Sequence, residues 1–247
     1  MVAVGGAGCS SSQSGEGPLG NVAPDSGPGG SSSSSGGSSG DASGPSDGGL
    51  ASSCAPADVS TYKPAWRKSA KFYQGVCAPA DLDKFRASCL GSDASACAKA
   101  VSPDCAKCLA TDETADVYGA VIVHKGWVEL NLPGCVANAM GDPTGVRCAA
   151  AMQAVDLCDL AACSANCPVS SDATLTDLDS CRQVADKGQC AALVSDAQCE
   201  NGLADAGAEV AACFSGTSFA EAYATIAGLF CLASQTPPPV DAGAGGG

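Results

Sequence analysis

Sixteen of the seventeen cysteines in this 247-residue chain lie between Cys54 and Cys231, and the remaining one, Cys9, stands alone near the start. An even set inside one region, with a single cysteine outside it, is what a fully paired domain preceded by a separately used thiol would show. The density matches that of secreted domains stapled by cross-links, whereas a reducing compartment would leave the same residues as reactive thiols. Cys54, Cys77, Cys89, Cys97, Cys105, Cys108, Cys135, Cys148, Cys158, Cys163, Cys167, Cys181, Cys190, Cys199, Cys213 and Cys231 are therefore expected to form intradomain disulfides.

Composition sets the domain's edges. Residues 10–53 are dominated by Ser and Gly and hold almost nothing that could enter a core, so they read as a disordered tether. Its length of about 44 residues gives a root-mean-square reach on the order of 35 to 40 Å. The stretch 236–247, beginning Thr236-Pro237-Pro238-Pro239, reads as a disordered tail. Between them, residues 54–235 form one cysteine-rich domain, rich in Ala, Val and Leu and poor in aromatics. Such small side chains each bury little area, and the disulfides are expected to offset that deficit. A net charge of −14 argues against nucleic acid as a partner. No run approaches the roughly 18 to 20 apolar residues of a spanning helix. Membrane contact is thus expected only through a lipid anchor.

The first residues supply a place for that anchor. Ala7-Gly8-Cys9-Ser10 resembles the end of a bacterial lipoprotein signal, in which small residues precede a cysteine that becomes lipidated and is then the mature N-terminus. Gly6 stands where that signal usually carries Leu, and the charged region and most of the apolar stretch are missing from residues 1–9. Ser10 after the cysteine implies, by that resemblance, the outer membrane or cell surface of a bacterial envelope. With its Ser/Gly tether and cysteine-rich domain, the whole plan is similar to that of predicted cysteine-rich bacterial surface lipoproteins. That likeness transfers no catalytic residue.

Helix signals dominate the domain. Pro79 to Leu90 places Leu82, Phe85 and Cys89 on one face before Gly91, and Ser102-Pro103 opens a helix carrying Cys105 and Cys108. Thr144 is the cap expected for a longer helix through Cys148, Met152, Val155 and Cys158 to Cys163. Asp177–Ala185, Gln189–Leu193 and Ala206–Phe214 carry weaker helical patterns, while Ser218 and Glu221 form a capping-box signature for a last helix through Phe230. The exception is the segment of about 117–132, where β-branched runs flank His124-Lys125-Gly126 and read as a hairpin. The fold class is mainly α: a disulfide-stapled multi-helix domain with one small β-hairpin. Cysteines recurring at eight or nine residues, as at Cys181, Cys190 and Cys199, suit helices that each carry one or two bridges.

Catalytic signals are sparse. Cys105-Ala106-Lys107-Cys108 is the sole CxxC, but no strand leads into it, so each cysteine is expected to bridge to a different helix. A zinc site is disfavoured by the absence of a second CxxC and by a single histidine. That histidine, His124, is expected in an exposed turn, and Asp156 and Asp159 are expected as solvated acids on a helix. The segment from Tyr62 to Tyr73 gathers four of the twelve basic residues with four of the eleven aromatics. Trp66, Arg67, Lys68 and Lys71 are thus the candidate binding residues, suited to an acidic glycan, a lipid headgroup or an acidic envelope protein. Packing of the aromatics as an anchor for the linker end competes with that reading. The function expected is a non-enzymatic, tethered binding or structural module with no cofactor. The alternatives are a secreted enzyme, either a thiol–disulfide oxidoreductase using Cys105 and Cys108 or a hydrolase using carboxylates, and a lipid carrier.

Overall fold

Prolines and small polar residues open several of the helices. A computed structural model describes residues 54–90, 99–141 and 148–234, and in these residues eight α-helices, a 3-10 helix and five short strands alternate. In chain order they are β1 (Lys68–Ser69), α1 (Pro79–Cys89), α2 (Pro103–Leu109), β2 (Ala110–Asp112), β3 (Val117–Tyr118), β4 (Val121–His124), β5 (Trp127–Leu130) and α3 (Leu132–Ala139). There follow α4 (Cys148–Cys163), α5 (Asp172–Lys187), α6 (Ala191–Asp196), the 3-10 helix (Ala197–Asp205), α7 (Ala208–Cys213) and α8 (Phe219–Cys231). The mainly helical class with a small β element is as expected. Cys9, Gly91, Cys97, Thr144, the 10–53 tether and the 236–247 tail lie outside the described residues.

Local chemistry explains the helix starts. Ser102 accepts a hydrogen bond from the Cys105 N–H at the head of α2, and Ser218 accepts one from the Glu221 N–H at the head of α8. The Glu221 carboxylate reaches one residue further back than a capping box would, accepting from both the N–H and the hydroxyl of Thr217. α5 begins at Asp172, capped by Ser171, and so runs a full turn earlier than its apolar pattern implies. α3 was not apparent in the sequence. Asn131, wholly buried, starts it by accepting from the Gly134 N–H while its amide donates to Ser69 Oγ and the Gly119 carbonyl.

The hairpin is shorter than its sequence pattern. β4 and β5 pair antiparallel with His124 opposite Trp127, so the turn is Lys125-Gly126 and His124 belongs to the strand. Gly126 has φ +95°, and a Cβ there would lie 2.2 Å from the Val169 carbonyl oxygen, so this position accepts only glycine. Val117–Tyr118 leaves the hairpin to pair parallel with β1, and β2 pairs parallel with β4. The break falls at Gly119, where a side chain would strike the Cys108 carbonyl at 2.5 Å.

Two cores meet at this small sheet. Val121, Val128 and Leu130 project into a core built with α1, α2, α3, α7 and α8, whereas Trp127 joins a second one formed by α4 and α5 with Leu175 and Leu178. Both contain many Ala and Cys side chains, which makes the cross-links important. α4 shows how they work: Cys148, Cys158 and Cys163 bond to Cys199, Cys190 and Cys181 in that order. Partner numbers fall as α4 advances, so the chain after α4 returns antiparallel along it and is stapled at three levels. Cys77–Cys105, Cys108–Cys231, Cys135–Cys213 and Cys54–Cys167 tie the remaining elements, and Cys89 is disulfide-bonded as well. Bridges spanning 113 and 123 residues close the longest loops, each worth about 4 to 5 kcal/mol on a chain-entropy account.

Candidate functional site

The face of the hairpin turned towards α4 and α5 carries Trp127 and Glu129 from β5 and His124 from β4, because alternate strand residues share a side. A Trp-Val-Glu-Leu run would ordinarily turn Glu129 to solvent. Here α4 and α5 cover that face, and both His124 and Glu129 are buried. The imidazole stacks on the Trp127 indole with centroids 4.1 Å apart and rings 11° from parallel. His124 is therefore not the exposed turn residue that its neighbours suggest, since the two-residue turn keeps it in the strand and under the helices.

Both ring nitrogens face carboxylates. Nε2 lies 2.9 Å from Glu129 Oε1, and Nδ1 lies 2.5 Å from Glu113 Oε2. Two carboxylate acceptors are satisfied together only by an imidazolium, which donates from both nitrogens. Burial lowers the pKa of His124, but the hydrogen bonds and charges of Glu129 and then Glu113 outweigh it, so the net shift is upward from 6.5. Glu113 is placed by its own backbone: its N–H donates to the Val123 carbonyl, and its carbonyl accepts from the Tyr118 hydroxyl at 2.8 Å. Its side chain remains 45% exposed. The dyad thus has one buried carboxylate and one open to solvent.

A second charged group backs the first. Arg182 of α5 is buried, with Nη1 3.9 Å from Glu129, Nη2 3.4 Å from Asp156 and Nε 3.7 Å from Asp159, and its guanidinium lies 5.9 Å from the Trp127 ring centroid. Asp156 and Asp159 are consequently not solvated surface acids. Their three-residue spacing puts both on the face of α4 that α5 covers. Burial, then the charge of Glu129, pushes Asp156 up to about 7 despite Arg182. Burial and the adjacent Asp186 carboxyl push Asp159 up to about 8. Among the described residues, one oxygen each of Asp159 and Asp186 is buried without a hydrogen-bond partner, so a proton shared between the two carboxyls supplies the donor that neither carboxylate has alone.

Beside the His124–Glu113 pair opens a cavity of about 340 Å³, lined by Lys125 from the turn, by Leu160, Val169 and Leu178, and by Cys167. Glu113 is its single carboxylate among the described residues; Asp156 and Asp159 turn to Arg182 instead. The sequence could not assemble this site, because Glu113 comes from the loop after β2 and His124, Glu129, Asp156, Asp159 and Arg182 from four further elements with no shared motif.

The residues singled out in the sequence lie elsewhere. Trp66 packs partly buried on the first core, and its indole Nε1 is buried with no hydrogen-bond partner among the described residues. The Arg67 backbone exchanges hydrogen bonds with the Gln153 amide, while its guanidinium approaches Asp116 at 3.9 Å; Lys68 and Lys71 are exposed. The same strip is laced to the end of α8, with the N–H groups of Tyr73, Gln74 and Cys77 donating to the carbonyls of Leu229, Phe230 and Cys231. Cys105 and Cys108 are buried and bonded apart, to Cys77 ahead of α1 and to Cys231 at the end of α8, as the structural reading of the CxxC expects. Among the described residues the one convergence of metal-ligand atoms is Cys54, Cys167 and Cys181, whose sulfurs all belong to disulfides. No helix of the described residues is long and apolar enough to cross a membrane. No protein-family model, curated protein or solved structure matches the chain.

Proposed function

We propose that this chain is a lipid-tethered, disulfide-stapled module of the bacterial cell envelope that binds a small ligand in the cavity beside Glu113 and His124. The observation that carries the reading is a preorganised, half-exposed Glu113 carboxylate at a cavity that also presents the apolar side chains of Leu160, Val169 and Leu178. The ligand it suits presents an amine or another donor to Glu113 and an apolar portion to Leu160, Val169 and Leu178. A single carboxylate in the cavity favours binding over paired-acid hydrolysis, and the mixed lining favours a polar small molecule over an acyl chain. The seven described bridges fit an oxidising, extracytoplasmic compartment.

Calorimetry with a library of small amines tests the pocket, using the wild-type chain, Glu113→Gln and a cavity-filling Leu160→Trp. A binder weakened about tenfold or more by either change supports the site, since an ion-paired hydrogen bond contributes about 1.5 to 3 kcal/mol. Equal binding by all three chains places the ligand elsewhere. Detergent partitioning of a chain expressed with a complete upstream signal tests the anchor, because Cys9→Ser should then move to the aqueous phase.

A second reading rests on the exposure of Lys68 and Lys71 and the partly exposed Arg67 guanidinium. In it, this strip docks an acidic glycan, lipid headgroup or envelope protein. Binding that survives Arg67→Ala with Lys68→Ala and Lys71→Ala removes it.

A further inference from the structure

Cys54 is half-buried and is bonded to Cys167, and the sulfurs of Cys54, Cys167 and Cys181 all lie within 4.8 Å of one another. Cys181 is itself bonded to Cys163. Two disulfides are therefore close enough for a sulfur released from one to attack the other with only a small side-chain movement. Burial orders the four atoms: Cys167, Cys181 and Cys163 are 4%, 2% and 0% exposed, so Cys54 is the member that solvent reaches. The position is also distinctive, because Cys54 is where the domain follows the Ser/Gly tether.

We infer that these two bridges form a thiol-exchange site, in which an external low-molecular-weight thiol is captured covalently on Cys54. In the first step the thiolate R–S⁻ attacks Cys54 Sγ, the Cys54–Cys167 bond breaks, R–S–S–Cys54 forms and Cys167 leaves as a thiolate. Lys125 lines the same cavity as Cys167, and a nearby cation favours that leaving group. In the second step the Cys167 thiolate attacks Cys181 Sγ, the Cys163–Cys181 bond breaks, and Cys167–Cys181 forms. Cys163 leaves as a thiolate and takes the proton given up by R–SH. The number of disulfides rises by none and falls by none, so no oxidant or reductant beyond the thiol itself is needed. The adduct persists because Cys167, the one sulfur placed to displace it, is held by Cys181, while the new thiol on Cys163 is fully buried. The domain thus acquires an external covalent link at Cys54 in exchange for one of its own two bridges here, and Cys167–Cys181 is the cross-link that remains.

The test uses the oxidised full chain carrying Cys9→Ser, which removes the thiol that stands outside the domain, exposed to a few equivalents of glutathione and quenched by alkylation in acid. Peptide mapping by mass spectrometry is expected to find glutathione on Cys54, a Cys167–Cys181 link and an alkylated Cys163, with the Cys108–Cys231 and Cys135–Cys213 links intact. In Cys163→Ala with Cys181→Ala the relay partner is missing, and Cys167 returns to displace the adduct. Its yield should then fall about tenfold or more. Glutathione on Cys54 with an alkylated Cys167 and an intact Cys163–Cys181 bridge would overturn the proposal, as would opening of any other bridge first. The wild-type pairing decides the matter even if the double variant fails to fold.

Discussion

His124 and Glu129 meet diagonally across the hairpin, Nε2 to Oε1 at 2.9 Å, and the same carboxylate group turns its other oxygen to Arg182 at 3.9 Å. Glu129 therefore joins an imidazolium to a guanidinium beneath two helices. With Asp156, Asp159 and Asp186 behind, this buried cluster holds more acid than base, so its protonation enters the stability of the fold.

Stability should fall as pH rises from mildly acidic to alkaline. His124 has a raised pKa in the fold, so its contribution is complete below about 6.5 and is lost as pH climbs through the folded value. Asp156, Asp159 and Asp186 are also raised, and the native state holds protons that the unfolded chain has released above its ordinary 3.8. Their contribution therefore declines from about pH 4 to about 7 and 8 for Asp156 and Asp159. Both effects have the same sign. Melting temperatures at pH 5, 7 and 9 should descend in that order, and a rise with pH would contradict the buried network.

Asp159→Asn mimics the protonated carboxyl permanently. It should flatten the decline between pH 5 and 8 and raise stability at pH 8 by about 1 to 3 kcal/mol, the cost of an unpaired buried polar group. Denaturant titration at the two pH values measures it.

Arg182→Met removes the cation from among Glu129, Asp156 and Asp159 while keeping much of the volume. Leaving buried charges without their partner should cost about 3 to 5 kcal/mol at pH 7. The loss should shrink at pH 5, where Asp156 and Asp159 are protonated. Chemical denaturation at both pH values separates this from simple packing loss.

Gly126→Ala places a methyl against the Val169 carbonyl at a backbone angle that L-residues avoid. A destabilisation of about 1 to 3 kcal/mol is expected. Because Val169 also lines the cavity, ligand affinity should fall with it.

Peptide mapping of the oxidised chain should recover Cys105 linked to Cys77 and Cys108 linked to Cys231, never to each other. Replacing both Cys108 and Cys231 by Ala opens a loop of 123 residues and should cost about 4 to 5 kcal/mol. A Cys105–Cys108 link would restore the CxxC as a redox candidate.

What the sequence determined by itself is local. Helix starts at Ser102 and Ser218, the amphipathic run to Phe85, the hairpin around Gly126 and the bonding of the cysteines among the described residues all follow from capping, periodicity, turn chemistry and counting. Tertiary structure decided the rest. Whether His124 sat in the turn or the strand hung on one residue of register, and that shift moved it from solvent to a position between two carboxylates. Asp156 and Asp159 read as surface acids because a helix pattern does not say which face a later helix will cover; Arg182 arrives from 26 residues away to face them. The order in which Cys148, Cys158 and Cys163 select Cys199, Cys190 and Cys181 is likewise set by the antiparallel return of the chain along α4. Cysteines carry no local signal of their partners, since a disulfide needs only two sulfurs brought together, and only the packed fold determines which two.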